Sequence, residues 1–461
     1  MSSKHFIWIA IFFLFSSCSS TGAPYEIQFQ IDGFPQQTIY IAQIEGGAYA
    51  VVDTLISDEK GVFRTDFNNT QNIGMYAFIF PQLQQLKIPF IFNKEPLISF
   101  SSEIFSLQQN VNVEASEENK AFYTFSQFYT QFTEDISELE TFYETYSRSD
   151  FLSNIEKEYQ KRIEEEKEFC KELLRTYKNT FASHIISASR KPYSNELLSG
   201  QSKYDYEKKH FFDNIDFSDT TLLYTNILTT KSIEYLTLCS QKRSREKPYK
   251  ALQDAVMVII NKALPYPRTY DFIINYLLNG FESMGDETMM KFVSEIYLED
   301  KQCSSENAST LEQKALQNAE LAKGKNIPDF ETKMLNGNKI SSEDFTNETY
   351  HVLIFWSTSC GHCKAMIPEI AQLMNQHSHI NTVFVSLDTD MKNLKDFIAK
   401  NPVLKEYDHV CEEQGWDGKL AKDFYIYATP TIFITNGTKI ISKPIDINTF
   451  KKDIRSLKNN N

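Results

Sequence analysis

Two cysteines, Cys360 and Cys363, sit two residues apart in the stretch FWSTSCGHCKAMIP. A pair at this spacing can be a redox couple, half of a metal site or a structural bridge. A redox couple needs one sulfur ionised, because the thiolate is the species that attacks a disulfide. A structural zinc site needs four ligands, usually from a second pair. The remaining cysteines, at positions 18, 170, 239, 303 and 411, are scattered, and His377 and His379 in NQHSHI read as solvent-facing or turn residues. No metal is therefore expected. A bridge closing so short a loop would stabilise little. An odd count with one tight pair points to chemistry at that pair.

Such chemistry needs a strand to deliver the pair and a helix to receive it. YHVLIFWS is a continuous apolar run, suited to a strand buried on both faces. After it, Met366, Ile370, Leu373 and Met374 fall at helical spacing. NTVFVSLD predicts a second buried strand and MKNLKDFIAK a second helix. Past a stretch read as irregular, TPTIFIT and KIISKPI predict two strands joined at Asn436-Gly437, and NTFKKDIRSL a closing helix. The order βαβα then ββα predicts an α/β sheet with crossover helices. At the mouth of the first helix, Cys360 would meet unpaired amides and the positive end of the dipole, which lower a thiol pKa from about 8.5.

This segment, residues 324–461, resembles thioredoxin, and most closely the envelope-tethered thiol-disulfide oxidoreductases of the TlpA and ResA type. The residues that carry the resemblance are Phe355-Trp356, Cys360, Cys363, Lys364, Pro368 and Thr429-Pro430 before TIFI. The lead-in GKNIPDFETKMLNGNKISSEDF, with its Asn336-Gly337 turn, resembles the extra N-terminal hairpin of that group. The resemblance implies catalysis by Cys360 and Cys363, with Trp356, Thr429 and a cis Pro430 in support. It also implies an acidic residue that moves the proton of the second cysteine, either Asp388 or Asp390. Six residues before Cys360, where thioredoxin keeps a buried aspartate, this chain has Ile354, which moves that role toward Asp388. The linker CGHC resembles that of protein disulfide isomerase, and His362 is expected to make the disulfide more oxidising. The relevant scale runs from about -270 mV for thioredoxin to about -180 mV for the isomerase. The expected function is reduction of disulfides in client proteins, recharged by a membrane thiol donor, with no cofactor beyond the cysteine pair. Oxidase or isomerase action stays open, as does a non-catalytic binding protein that uses this domain for docking.

The rest of the chain sets the context. The 461 residues suggest two or three domains. A net charge of -14 argues against nucleic acid, whose phosphates need a basic face. Lys4, the apolar run Phe6–Phe15 and Ser16-Ser17-Cys18 resemble a bacterial lipoprotein signal, residues 1–17, that leaves Cys18 as a lipid anchor. That resemblance implies an envelope protein facing the periplasm, held to the bilayer. Residues 18–115 alternate with period two, as in YEIQFQID, and predict an antiparallel β domain in which Asp32-Gly33 marks a hairpin. The stretch VVDTLISDEKGVFRTDF resembles the β-rich domain found ahead of thioredoxin-like domains in envelope lipoproteins.

Residues 116–323 change to period 3.6. Phe122, Phe125, Tyr129, Phe132, Ile136 and Leu139 form one stripe, and Leu152 to Tyr177 carry another, predicting a helical domain. Cys170 and Cys239 read as buried small hydrophobes, Cys411 as a passive thiol, and Cys303 is assigned no role. KRIEEEKEF reads as a solvated helix face, and the two prolines of NKALPYPRTYDF as a helix break.

Overall fold

Alternating apolar residues build a two-sheet β sandwich at the start of the computed structural model, which describes residues 25–107, 109–146, 149–240, 249–300, 308–346 and 349–457. The lipoprotein signal, Cys18 and Cys303 lie outside the described residues. The strands are β1 (Tyr25–Asp32), β2 (Thr38–Glu45), β3 (Ala48–Ile56), β4 (Val62–Phe67), β5 (Gly74–Phe80), β6 (Leu86–Phe92), β7 (Leu97–Glu103) and β8 (Asn112–Ala115). One sheet has the order β4-β1-β7-β8 and the other β3-β2-β5-β6. Their facing sides meet in an aromatic core, where Phe78 stacks on Phe90 at 4.5 Å and tilts against Phe29 at 5.0 Å.

Two sequence expectations change here. Asp32-Gly33 is not a hairpin turn, because β1 pairs with β4 and β7 while β2 belongs to the other sheet. The five-residue connection carries Pro35, which has no amide to donate, and Phe34, which is buried, so it crosses between sheets instead of folding back. The tight hairpin lies at Gly46-Gly47, whose φ values of 56° and 88° suit the turn between β2 and β3. In addition, the sandwich is not wholly antiparallel, since β1 runs parallel to β7.

Helices α1 (Glu117–Thr145), α2 (Ser149–Thr176), α3 (Phe181–Ser189) and α4 (Gly200–His210) follow. Ser116 caps α1 through its hydroxyl, which accepts the Asn119 amide at 3.0 Å. The α1 stripe is buried as read, with Phe132 and Ile136 against Ile155, Tyr159 and Ile163 of α2. Cys170 is fully buried. Glu166, read as part of a solvated face, is 4% exposed, and Arg190 holds both its oxygens at 2.6 and 2.9 Å. A charge run does not disclose which of its members has a partner far along the chain.

The next helices are α5 (Ile227–Ser240), α6 (Lys250–Ala263), α7 (Pro267–Ser283), α8 (Glu287–Asp300) and α9 (Ala308–Glu320), with Pro267 opening α7. Chain contacts define two compact units. One runs to Ile215 and includes Thr221–Ile227; the other comprises Asp216–Thr220 and everything from Leu228 onward. Packing therefore groups α1–α4 with the sandwich and α5–α9, from Leu228 onward, with the C-terminal sheet. Helical periodicity identifies a buried face but not what covers it, so the sequence shows one helical region where the packing makes two groups. Among the described residues, no helix is long and apolar enough to cross a membrane.

The C-terminal part begins with the hairpin β9 (Glu331–Lys333) and β10 (Lys339–Ser341), turning at Gly337. It continues through β11 (Tyr350–Trp356), α10 (Gly361–Met374), β12 (Asn381–Ser386), α11 (Met391–Lys400) and β13 (Asp408–Cys411). It closes with α12 (Lys419–Asp423), β14 (Thr431–Asn436), β15 (Lys439–Ser442) and α13 (Ile447–Ser456). The sheet order is β13-β12-β11-β14-β15, with β11 parallel to β12 and antiparallel to β14. This is the α/β thioredoxin fold. Residues of β11 alternate between two apolar layers: Val352, Ile354 and Trp356 face α10, while Leu353 and Phe355 face the layer of α12. The stretch read as irregular contains β13, a four-residue strand too short to give a pattern.

Candidate active site

The central strand β11 ends at Trp356, where its neighbours on the two sides run in opposite directions. Crevices at such switch points, beyond the carboxyl ends of strands, are where open α/β sheets bind ligands. Ser357, Thr358 and Ser359 turn the chain there, and Cys360 is the N-cap of α10. Its sulfur accepts the Cys363 amide at 3.2 Å, while the Cys360 amide bonds the Ser357 carbonyl at 3.2 Å. The cap position explains the local fold: a small acceptor side chain satisfies an amide that the first helical turn leaves unpaired.

The two sulfurs differ in environment. Cys360 is partly exposed and Cys363 fully buried. Burial alone would push the Cys360 thiol up, but hydrogen bonds from the Cys363 thiol and amide, from Thr429 and from the His362 amide outweigh it. The net shift is downward. Cys363 is pushed up to about 12, mainly by burial and then by its hydrogen bond to Cys360. One thiol is thus poised to ionise and attack, and the other to keep its proton until needed.

The Thr429–Pro430 peptide bond is cis, and the Thr429 carbonyl lies 3.4 Å from the Cys360 sulfur. His362 is exposed on the outer side of the linker, and a Cβ on the neighbouring Gly361 would meet nothing within 4 Å. Pro368 lies inside α10. Trp356 is fully buried beneath the helix against Phe397, at 5.1 Å, so it packs under the site and not at its mouth.

Asp388, just past β12, is 7% exposed. Its carboxylate accepts the Ser357 hydroxyl at 3.0 Å, the Thr358 amide at 3.0 and 3.1 Å, the Thr358 hydroxyl at 2.7 Å and the Ser386 hydroxyl at 2.5 Å. Asp388 therefore fixes the turn that carries Cys360. The Ser357 backbone, in the turn that Asp388 holds, partly offsets the upward push on the Cys363 thiol. Asp390 faces away from this network as the N-cap of α11, accepting the Lys392 amide at 2.8 Å. Sequence reasoning gave Ser357, Thr358 and Ser386 no role. The signal available was the polar run directly after an apolar strand.

Cys411, at the end of β13, donates to the Asp388 carbonyl at 3.3 Å. Burial and nearby carboxylates, Asp388 first, push its thiol up to about 11. The rings of His377 and His379 lie 5.9 Å apart beyond the end of α10. Among the described residues, no three His, Cys, Asp or Glu side chains gather as a metal ion would require.

Residues 323–444 match the AhpC/TSA family model. No curated protein matches the chain significantly. Similar solved structures include a thioredoxin domain of a thiol-disulfide oxidoreductase from Bacteroides vulgatus, 20% identical, covering 29% of this chain and 96% of that one, with a TM-score of 0.27. A thioredoxin-like protein from Bacteroides caccae is 15% identical over 56% of this chain and 94% of that one, with a TM-score of 0.40. A putative thiol:disulfide interchange protein DsbE from Chlorobium tepidum is 22% identical over 29% and 92%, with a TM-score of 0.26. The C-terminal part of the chain thus has the thioredoxin fold and, over residues 323–444, is similar to the AhpC/TSA family.

Proposed function

We propose that this chain reduces disulfides in client proteins of the bacterial envelope through the Cys360–Cys363 dithiol. The observation that carries the proposal is the asymmetry of the pair: a capped, partly exposed sulfur of lowered pKa beside a buried one of raised pKa. The Cys360 thiolate attacks one sulfur of a client disulfide and forms a mixed disulfide, releasing the other client sulfur as thiolate. Cys363 then loses its proton and attacks the Cys360 sulfur. That second step forms the Cys360–Cys363 disulfide and frees the second client thiolate, so two electrons pass to the client. A dithiol donor at the membrane restores the pair by the same exchange.

In this reading Thr429 and Pro430 face the client backbone, and Asp388 holds the turn and assists the proton of Cys363 through Ser357. Cys18 would tether the body to the bilayer, on the periplasmic side. Replacing Cys363 with Ser should trap clients on Cys360 as mixed disulfides, and replacing Cys360 with Ser should return insulin turbidity to the slow rate of dithiothreitol alone. Equal insulin rates for wild type and Cys360→Ser would remove the catalytic reading and leave a docking module. Palmitate labelling that survives Cys18→Ala would exclude that anchor.

Oxidase or isomerase action is the second reading, favoured by His362 in the linker beside Cys360. A reduction potential near the isomerase end, about -180 mV, would select it; one near about -270 mV would select reduction.

A further inference from the structure

The segment from Phe424 to Pro430 leads into β14 and brings Thr429 to the Cys360 sulfur. It is held from outside by two helices that precede the thioredoxin fold. From α9, the Gln317 amide donates to the carbonyls of Tyr425 and Phe424 at 3.0 and 3.3 Å. Gln317 is 4% exposed, and Tyr425 has a φ of 49°, a left-handed conformation that a tyrosine rarely adopts without support. From α7, Glu282 accepts the Tyr427 hydroxyl at 2.9 Å. The other Glu282 oxygen is held by Lys314 of α9, which also bonds Asn279 and lies 5.4 Å from the Tyr427 ring centroid. Lys314 is 5% exposed, so this ion pair and its hydrogen bonds operate largely away from water, where such contacts are strong and their loss is costly.

We infer that Tyr427 and Gln317 are positioning residues for the redox site: through Glu282 and α9 they fix the segment that sets Thr429 and Pro430 against Cys360. Neither touches the sulfur. Gln317 holds the Phe424 and Tyr425 carbonyls from α9, while Tyr427, within the segment, is held through its hydroxyl by Glu282 of α7, so two different contacts anchor the chain within five residues of Thr429. The helices α7 and α9 thereby become part of the active-site scaffold. This inference rests on the dithiol reading above.

The test uses the full chain and two variants that each cut one tether while keeping volume. Tyr427→Phe removes only the hydroxyl, and Gln317→Met removes the amide, and with it the donor, at similar volume. In each, the pH profile of Cys360 alkylation is followed in the reduced protein, together with KM and kcat for insulin reduction. A positioning role predicts that alkylation at neutral pH falls about threefold, the change produced by half a pKa unit. It also predicts that KM for insulin rises while circular dichroism stays that of wild type. Wild-type profiles and KM in both variants would overturn the inference and leave the dithiol reading intact. An ordinary thiol profile for Cys360 in the wild type would instead overturn the dithiol reading, and this inference with it. If one variant fails to fold, the other decides by the same readouts.

Discussion

The Cys360 sulfur accepts the amide hydrogen of Cys363 at 3.2 Å, so one member of the pair caps the helix that carries the other. Alkylation should therefore be sharply ordered. Cys360 should react at neutral pH, and Cys363, pushed up to about 12, at least about a hundredfold more slowly. Cys363→Ala should shift the Cys360 profile to higher pH, because it deletes the thiol hydrogen bond that favours the thiolate. Mass mapping of iodoacetamide adducts against pH measures both effects.

Asp388 gathers hydrogen bonds from Ser357, Thr358 and Ser386. Asp388→Ala should lower stability by about 2–4 kcal/mol, since it strands several buried donors at once. Asp388→Asn should cost less stability but slow the step in which Cys363 resolves the mixed disulfide. Thermal melting and single-turnover release of a model client separate these outcomes.

His351 is 2% exposed and stacks on Phe345 at 4.2 Å. Burial depresses its pKa to about 4, against a partly opposing pull from Asp344. The unfolded chain binds the proton near pH 6.5, so the neutral ring's contribution is present above that pH and is lost as pH falls toward about 4. Between pH 7 and pH 5 this group should cost about 2 kcal/mol of stability. His351→Phe should flatten that part of the dependence of the urea midpoint, followed by tryptophan fluorescence.

In the other unit, Glu118 is 3% exposed and its carboxylate accepts the amides of Phe181 and Ala182 at 2.9 and 2.7 Å and the Asn93 side chain at 2.6 Å. It thus caps α3 from α1. Glu118→Ala should destabilise that unit by about 2–4 kcal/mol, with Glu118→Gln milder, as read by thermal melting.

Features set by neighbours in sequence were legible. The run through Phe355 and Trp356 gave a strand buried on both sides, and the 3.6 spacing after Cys363 gave the helix that Cys360 begins. Features set by distant partners were not. Glu166 looked like one charge among many until Arg190, 24 residues away, bonded it. Asp32-Gly33 has hairpin composition, yet the strand that pairs with β1 comes after another sheet has been entered. The four residues of β13 carry too little pattern to stand out. Gln317 and Tyr427 reach partners 108 and 145 positions away, and no periodicity reports contacts of that range.

Leu321, just past the end of α9, is 3% exposed in the same apolar layer as Phe355 and Phe433. A protein cut at residue 324, where turn residues announce a new domain, would leave that layer with a gap and the Phe424 and Tyr425 carbonyls without their donor. The smallest autonomous redox piece of this molecule should accordingly begin upstream, among the helices, and excising the sheet alone should yield a looser and less reactive fragment.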